Sequence, residues 1–434
     1  MQLKRFEIRK LFGRLDHKID FPVSTEDSPK PSLVILHGPN GVGKTTVLKM
    51  LAGIMQLNFN IFREVPFEHC SLQFSDNKKI TVDASSIDHP HTLKISFEKQ
   101  SVDLHAQRAG PTEKENAPIV EQLRNDFFAK TNRIKFEFID TNRLGTPARA
   151  DRLSPLSLEW QALEESESSA TSSIEQALIA RELLARSKAS VHRQLGALAS
   201  KVARFIADAQ VNYRNFFATT TPDLFPKIIQ RLGEEANRYR ADDLLARLRF
   251  IKERDKHTQR LGLEGDRWDY EQLEELLVPN KSSNTTNNAL AVVGTYVEFL
   301  ESRLAERGLV AERLFTFEQL ASELLLDKKV VITPTEGFRI DARGGQSLNE
   351  GQLSSGEFHL LYLMVSALVT RRRGTVIAID EPEMSMHIAW QRRLVSTLFQ
   401  CASKAEPQFI LATHSPDIAA EYPDSMIDLH PGRA

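Results

Sequence analysis

Gly38-Pro39-Asn40-Gly41-Val42-Gly43-Lys44-Thr45 (GPNGVGKT) fills every fixed position of the pattern G-x-x-x-x-G-K-[ST]. It stands directly after Leu33–Leu36 (LVIL), a continuous apolar run of the kind that forms a strand buried on both faces. Directly after it comes TVLKMLAGIM at 46–55, an apolar-periodic helical stretch. Glycines let the backbone curl so that its N–H groups converge on phosphate oxygens, and the helix N-terminus adds partial positive charge. In this reading Gly38, Asn40, Gly41 and Gly43 form the cradle. Lys44 reaches the β- and γ-phosphates, the Thr45 hydroxyl ligates Mg²⁺, and Thr46 follows on the first helical turn. The loop alone implies a nucleoside triphosphate and no more.

Around the loop, the first 50 residues read as strand, turn, strand, loop, strand, loop, helix, with Leu3, Phe6 and Ile8 in the opening strand and Gly13 at the turn. Residues 60–140 mix short β-like pieces, such as KISF at 94–97 and IKFEFID at 134–140, in an order the sequence does not settle. From about Ser154 the text changes. Residues 164–173 (EESESSATSS) are acidic and Ser-rich. Val191, Leu195, Leu198, Val202, Phe205, Ala209, Tyr213 and Phe216 then recur at steps of three and four, one face of a helix. More helical text runs to about Asp327, broken by a polar loop at 281–288. No heptad array is sustained over hundreds of residues, so any helical arm is short. Strand–helix alternation resumes at Val330, with TVIAID (375–380) and QFILATH (408–414) as buried-strand candidates. The expected organisation is one α/β domain in two lobes, 1–150 and 330–434, split by a mainly helical insertion at 151–329.

Bulk numbers limit the function. The 56 basic and 58 acidic residues nearly cancel, so charge does not demand wholesale binding to nucleic acid. Cys70 and Cys401 stand far apart without metal-ligand spacing, which fits a reducing cytoplasm and disfavours a disulfide framework or zinc site. The opening MQLKRFEIRK lacks the apolar core of a secretory signal. The run Leu360–Val369 is about half of the ~20 residues a membrane span needs.

Three later motifs choose among nucleotide-binding classes. Leu353-Ser354-Ser355-Gly356-Glu357 resembles the LSGGQ signature of ABC-type ATPases, with Ser and Glu at the third and fifth places. A serine N-cap before a helix explains the same letters on structural grounds alone. Val376–Glu383 (VIAIDEPE) resembles a Walker B strand ending in carboxylates. Asp380 would serve the Mg²⁺ shell and Glu381 would act as general base toward the attacking water; Glu383 reads as structural or dimer-facing. His414, after another buried strand, resembles the switch histidine that contacts the γ-phosphate. Each is weak alone, but their order leaves little room for a GTPase, a kinase or a hexameric ring. The insertion before the signature disfavours a transporter subunit, where that gap is far shorter.

The stretch LSSGE…VIAIDEPEMSMHIAWQ…ATHSPDIAA, with Met386-His387 and Trp390-Gln391, resembles the OLD-like branch of ABC ATPases, relatives of RecF and SMC heads. The resemblance covers roughly 1–150 and 330–425. It implies an α/β ABC-type P-loop head, with ATP and Mg²⁺ bound between two copies packed head to tail, or in a higher oligomer of such dimers. Ser354, Ser355, Gly356 and Glu357 of one copy would close over the nucleotide of the other. Phe138–Leu144 is similar to a strand-end motif of this branch near the Q-loop, which implies Asn142 and Arg143 as nucleotide neighbours. Full OLD proteins carry a TOPRIM nuclease after the ATPase, whereas this chain ends soon after His414. The chain therefore resembles the stand-alone ATPase subunits of two-gene anti-phage systems, PARIS first and Septu second. The implied partner is a separately encoded TOPRIM or HNH nuclease, with a phage-encoded trigger. A RecF- or SMC-like clamp on DNA is the alternative, to which Arg371-Arg372-Arg373 lends a little support.

Overall fold

The computed structural model describes residues 1–22, 32–87, 92–98, 100–105, 111–131, 134–141, 194–216, 222, 224–234, 239–261, 263, 270–277, 287–371 and 374–430. Two compact units emerge. One gathers Met1–Ser190, Ser354–Leu363 and Thr370–Ala434; the other gathers Val191–Leu353 and Met364–Val369. The expected lobe limits at 150 and 330 thus stand beside a division at Ser190 and Leu353.

The first unit contains two sheets. Strands β1 (Leu3–Leu11), β2 (Leu15–Asp20), β4 (His69–Phe74), β5 (Lys79–Ala84), β6 (Thr92–Phe97) and β7 (Gln100–His105) form an antiparallel sheet in the order β2-β1-β4-β5-β6-β7. Its pairing is that of successive hairpins, except that β3 (Ser32–His37) leaves for the second sheet between β2 and β4. A register shift between Leu3 and Arg5 turns the strand so that Leu3, Phe6 and Ile8 all face inward.

The second sheet is parallel throughout, in the order β13-β3-β12-β11-β8, with β8 (Phe136–Asp140), β11 (Val376–Asp380), β12 (Gln408–Ala412) and β13 (Met426–Asp428). Every residue of β11 and β12 is buried, which is why both read as unbroken apolar runs. The register aligns Leu36 with Ala412, Ala412 with Asp380, and Asp380 with Asp140. The carboxyl ends of β3, β12, β11 and β8 therefore form one row, the edge at which open α/β sheets hold their ligands.

Helices of this unit are α1 (Lys44–Gln56), α2 (Asn60–Glu64) and α3 (Pro111–Lys130), with α10 (Ile388–Cys401) and α11 (Pro416–Glu421) in the second half. Val47, Leu48, Leu51 and Ile54 of α1 share one core with Phe6 and Ile8 of β1, Val34 and Leu36 of β3, and Ile410 of β12. The phosphate-loop helix is thereby fixed to both sheets.

The second unit is mainly helical. It comprises a helix over 194–216 (α4), α5 (Leu224–Glu234), α6 (Ala241–Arg260), α7 (Tyr270–Leu277) and the 38-residue α8 (Asn287–Leu324), then an antiparallel pair, β9 (Lys328–Thr333) with β10 (Gly337–Ala342). The stripe expected on α4 is buried at Leu198, Val202, Phe205 and Tyr213. Leu244, Leu248 and Ile251 of α6 pack against Val293, Val297, Leu300 and Leu304 of α8, again at helical spacing. A buried ion pair, Arg307 to Asp255 at 2.7 Å, pins the same two helices. Helix α9 (Ser355–Leu368) belongs to the first unit at its start and to the second at its end. The fold is α/β, with a strand–loop–helix unit on a parallel sheet, interrupted by a mainly helical segment. Among the described residues no helix is long and apolar enough to cross a membrane.

Candidate nucleotide site

The loop from Gly38 to Gly43 leaves β3 and enters α1 through Gly43, whose φ of 89° lies in the left-handed region. A Cβ at Gly43 would stand 2.9 Å from Leu11 Cδ2, a side-chain end that would have to give way, so the positive φ is what favours glycine there. No side chain caps α1 and its first turn holds no acidic residue. Its leading N–H groups therefore remain suited to an anion. Asn40 and Gly41 are exposed at the loop tip, and Thr45 and Thr46 are half-buried on the first turn.

Lys44 is buried, and its ammonium donates to Gly38 O at 2.6 Å and Pro39 O at 3.2 Å. It also lies 3.2 Å from His414 Nδ1, where the ammonium donates and the ring nitrogen accepts. Burial lowers the Lys44 pKa, and the carboxylates of Glu381, Glu383 and Asp380, in that order, oppose the shift. The Thr45 hydroxyl donates to Asp380 Oδ1 at 3.0 Å. Thus the start of α1 meets the end of β11 and the segment after β12, more than 300 positions away in the chain (|i−j| of 335 and 370).

Asp380 is the electrostatic focus. Its Oδ2 is buried and has no hydrogen-bond donor among the described residues. Burial first, then the neighbouring Glu381 and Asp140, push its pKa up to about 6 against the relief given by Thr45 and Lys49. A buried carboxylate with a spare oxygen, paired with a hydroxyl beside a lysine, fits a divalent cation bound mainly through phosphate oxygens. Among the described residues no group of three or more His, Cys, Asp or Glu is arranged to hold a metal by itself, so the nucleotide would have to supply the remaining ligands.

Glu381 has a φ of 49°, an uncommon setting for a non-glycine residue. Its N–H donates to Ala412 O at 2.7 Å, and its carbonyl accepts from Thr141 Oγ1 at 2.9 Å. The same hydroxyl donates to Asp380 O at 2.6 Å. Thr141 therefore clamps the turn that aims both acidic side chains. The sequence reading passed over Thr141 in favour of its neighbours; Asn142 and Arg143 lie outside the described residues, as do Arg372 and Arg373.

The signature residues are occupied with one another. Ser354 Oγ accepts Glu357 N–H at 3.2 Å, and Glu357 Oε2 accepts Ser354 N–H at 2.8 Å, a reciprocal capping box at the start of α9. Ser354 and Ser355 are exposed. A Cβ on Gly356 would stand 2.2 Å from Ser385 O, so the signature helix packs on the loop after Asp380, and the bonds of Ser354 run to Glu357 rather than to the phosphate loop. Three further side chains join this loop to its surroundings: Glu383, read from sequence as structural or dimer-facing, and Gln391 and His359, given no role there. Glu383 accepts the His414 N–H, Gln391 bridges Met386 O and Ser415, and His359 donates from Nδ1 to Met384 O at 2.8 Å.

Two buried histidines give the unit a pH dependence. Burial lowers the pKa of His17, which meets Val42 O at 2.8 Å, and of His359. In the unfolded chain both regain the ordinary value of 6.5, so the unfolded state takes up more protons as pH falls. Stability is present in full above 6.5 and is lost as pH drops toward the folded values. Each site contributes a slope approaching roughly 1.4 kcal/mol per pH unit. Below about 6 the raised pKa of Asp380 acts in the opposite sense and flattens the curve. Thermal unfolding is expected at lower temperature at pH 6.0 than at 7.5, with a smaller difference in His359→Gln. Identical midpoints at the two pH values would contradict the assignment.

A family described as "AAA domain, putative AbiEii toxin, Type IV TA system" matches residues 33–420. Similar solved structures include the SMC head domain with an extended coiled coil bound to the C-terminal domain of ScpA, from Pyrococcus furiosus (12% identity, 97% of this chain, 91% of that chain, TM-score 0.40). Another is an SMC head bound to the C-winged helix domain of ScpA (10%, 97%, 92%, 0.41). A third is the SMC head domain from Thermotoga maritima (10%, 97%, 92%, 0.35). Likeness at these values carries no argument about function. No curated protein matches the sequence.

Proposed function

The chain belongs to the family of AAA domains described as putative AbiEii toxins of type IV toxin–antitoxin systems, and from that premise we propose that it hydrolyses ATP at sites shared by two copies packed head to tail. One observation carries the reading: Lys44 and Thr45 converge on His414 and Asp380 at a single row of parallel strand ends. ATP is the substrate. Its triphosphate lies along Gly38–Gly43 and the start of α1, where Lys44 and the loop N–H groups hold the β- and γ-phosphates. Thr45 and Asp380 would hold a Mg²⁺ ion, which would supply charge neutralisation for the transferred phosphoryl group. Glu381 takes the proton of the attacking water, and His414 contacts the γ-phosphate from the β12 side.

The exposed Ser354 and Ser355, with Gly356 and Glu357, serve the nucleotide of the other copy, because the same chain directs Gly356 toward Ser385. Closure and opening of this pair, in the cytoplasm, would govern a separately encoded effector nuclease of TOPRIM or HNH type during phage infection. A family description that names a toxin with its antitoxin suits an ATPase working with a second polypeptide.

Subunit complementation tests the shared site. Lys44→Ala and Ser354→Arg are each expected to be inactive alone. An equal mixture forms mixed dimers in which one site combines the intact Lys44 of one copy with the intact Ser354 of the other. The expected recovery is about a quarter of wild-type ATPase, because half the dimers are mixed and each has one good site. A mixture as inactive as its components would refute the head-to-tail proposal.

A further inference from the structure

The loop from Pro382 to His387 lies between β11 and α10 and touches two other motifs. On one side Met384 O accepts from His359, and Ser385 O lies against Gly356 of the signature helix. On the other side Glu383 reaches the segment after β12. Its Oε1 accepts His414 N–H at 2.6 Å and Ser415 N–H at 3.1 Å. Ser415 is the N-cap of α11 and accepts from Ile418 N–H. Gln391 reinforces the link, accepting from Ser415 Oγ at 2.7 Å and donating to Met386 O at 2.9 Å. One carboxylate oxygen thus takes both N–H groups that follow Thr413, and Ser415 N–H is shared with Thr413 Oγ1 at 2.9 Å.

We infer that Glu383 is a positioning residue, which acts on hydrolysis through His414 by fixing the peptide between Thr413 and Ser415. This rests on the ATPase reading given above. Two features separate the contact from ordinary loop packing. Glu383 Oε2 is buried without a donor among the described residues, so the hold on the 413–415 peptide rests on Oε1, which takes both backbone donors. The Glu383 carboxylate also acts on Lys44, the other partner of His414. The clamp thus holds the peptide of the switch histidine while its charge acts on the phosphate-binding lysine, and it connects that peptide to a loop that also bears on the signature helix.

Glutamine at 383 keeps the Oε1 acceptor, whereas alanine removes it. Glu383→Ala is expected to lower kcat about 10- to 100-fold, the cost of a reacting group held loosely, with KM for ATP changed less than about threefold. Glu383→Gln should stay within about threefold of wild type, since both backbone donors retain their acceptor. If Glu383 works through His414, the double variant Glu383→Ala/His414→Ala is no slower than His414→Ala alone. The experiment is steady-state ATPase of the full-length protein for wild type and these four variants. Equal loss in Glu383→Gln and Glu383→Ala, or losses that multiply in the double variant, would overturn the inference. Wild-type turnover with an unaffected Glu383→Ala removes the inference alone. Absence of turnover in the wild type removes the ATPase reading and this inference with it.

Discussion

Lys44→Ala is expected to lose nucleotide binding by at least about a hundredfold while the protein stays folded. The Lys44 ammonium is held in the phosphate loop by the Gly38 and Pro39 carbonyls, and a charge-assisted contact to phosphate loses several kcal/mol when one partner is removed. The loop does not depend on that cation for its shape. His17 bonds to Val42 O, Val47 N–H bonds to Gly43 O, and Leu429 N–H bonds to His37 O. Burial already disfavours the charged lysine, so its loss costs the unliganded fold little. The expected result is an unliganded melting temperature near that of wild type. The rise given by saturating ATP, worth about 2.7 kcal/mol at one hundred times Kd, should vanish. A variant that still shows the full nucleotide-dependent rise would remove Lys44 from the phosphate site.

The parts of this site that were legible in the sequence are local ones. A strand, a glycine loop and a helix start are adjacent in the chain, so GPNGVGKT announced itself. Asp380 and His414 were legible for a related reason: each directly follows, or ends, a strand buried on both faces, and such strands read as apolar runs. The long-range register was not legible. Nothing in QFILATH says that β12 lies between β3 and β11, yet this placement brings His414 to Lys44. Thr141 was missed because its hydroxyl serves the carbonyl that ends β11 and the one after it, a bond that exists only once β8 pairs there. The antiparallel sheet could not be ordered because a period of two marks a strand without naming its neighbour. In the helical unit the α4 stripe was legible, whereas α8 begins at Asn287, inside the polar run read as a loop through 288.

The signature shows how one sequence pattern supports two readings at once. Ser354 and Glu357 form the capping box that starts α9, so the letters have a full structural explanation within one chain. That explanation leaves Ser355 exposed and Gly356 packed on Ser385, beside the loop that carries Glu383.

Glu381→Gln is expected to bind ATP as tightly as wild type, to hold the paired state, and to hydrolyse roughly 10²- to 10⁴-fold more slowly. Glutamine matches glutamate in size and keeps an oxygen, so the left-handed turn at Glu381, fixed by Ala412 O and Thr141 Oγ1, is undisturbed. What it lacks is a basic oxygen to take the proton from water. Removing one negative charge from the group around Lys44 and Asp380 also favours an anionic ligand. Slow turnover should therefore coincide with a longer-lived ATP complex and not with a weaker one. This distinguishes Glu381 from Lys44, whose loss prevents binding, and from Asp380, whose replacement by asparagine should weaken Mg²⁺-dependent binding first. Single-turnover hydrolysis, measured with size-exclusion chromatography in ATP, separates these outcomes. Turnover of Glu381→Gln within about tenfold of wild type would assign the proton transfer to another group, and failure of ATP to retain it as a pair would overturn the paired state.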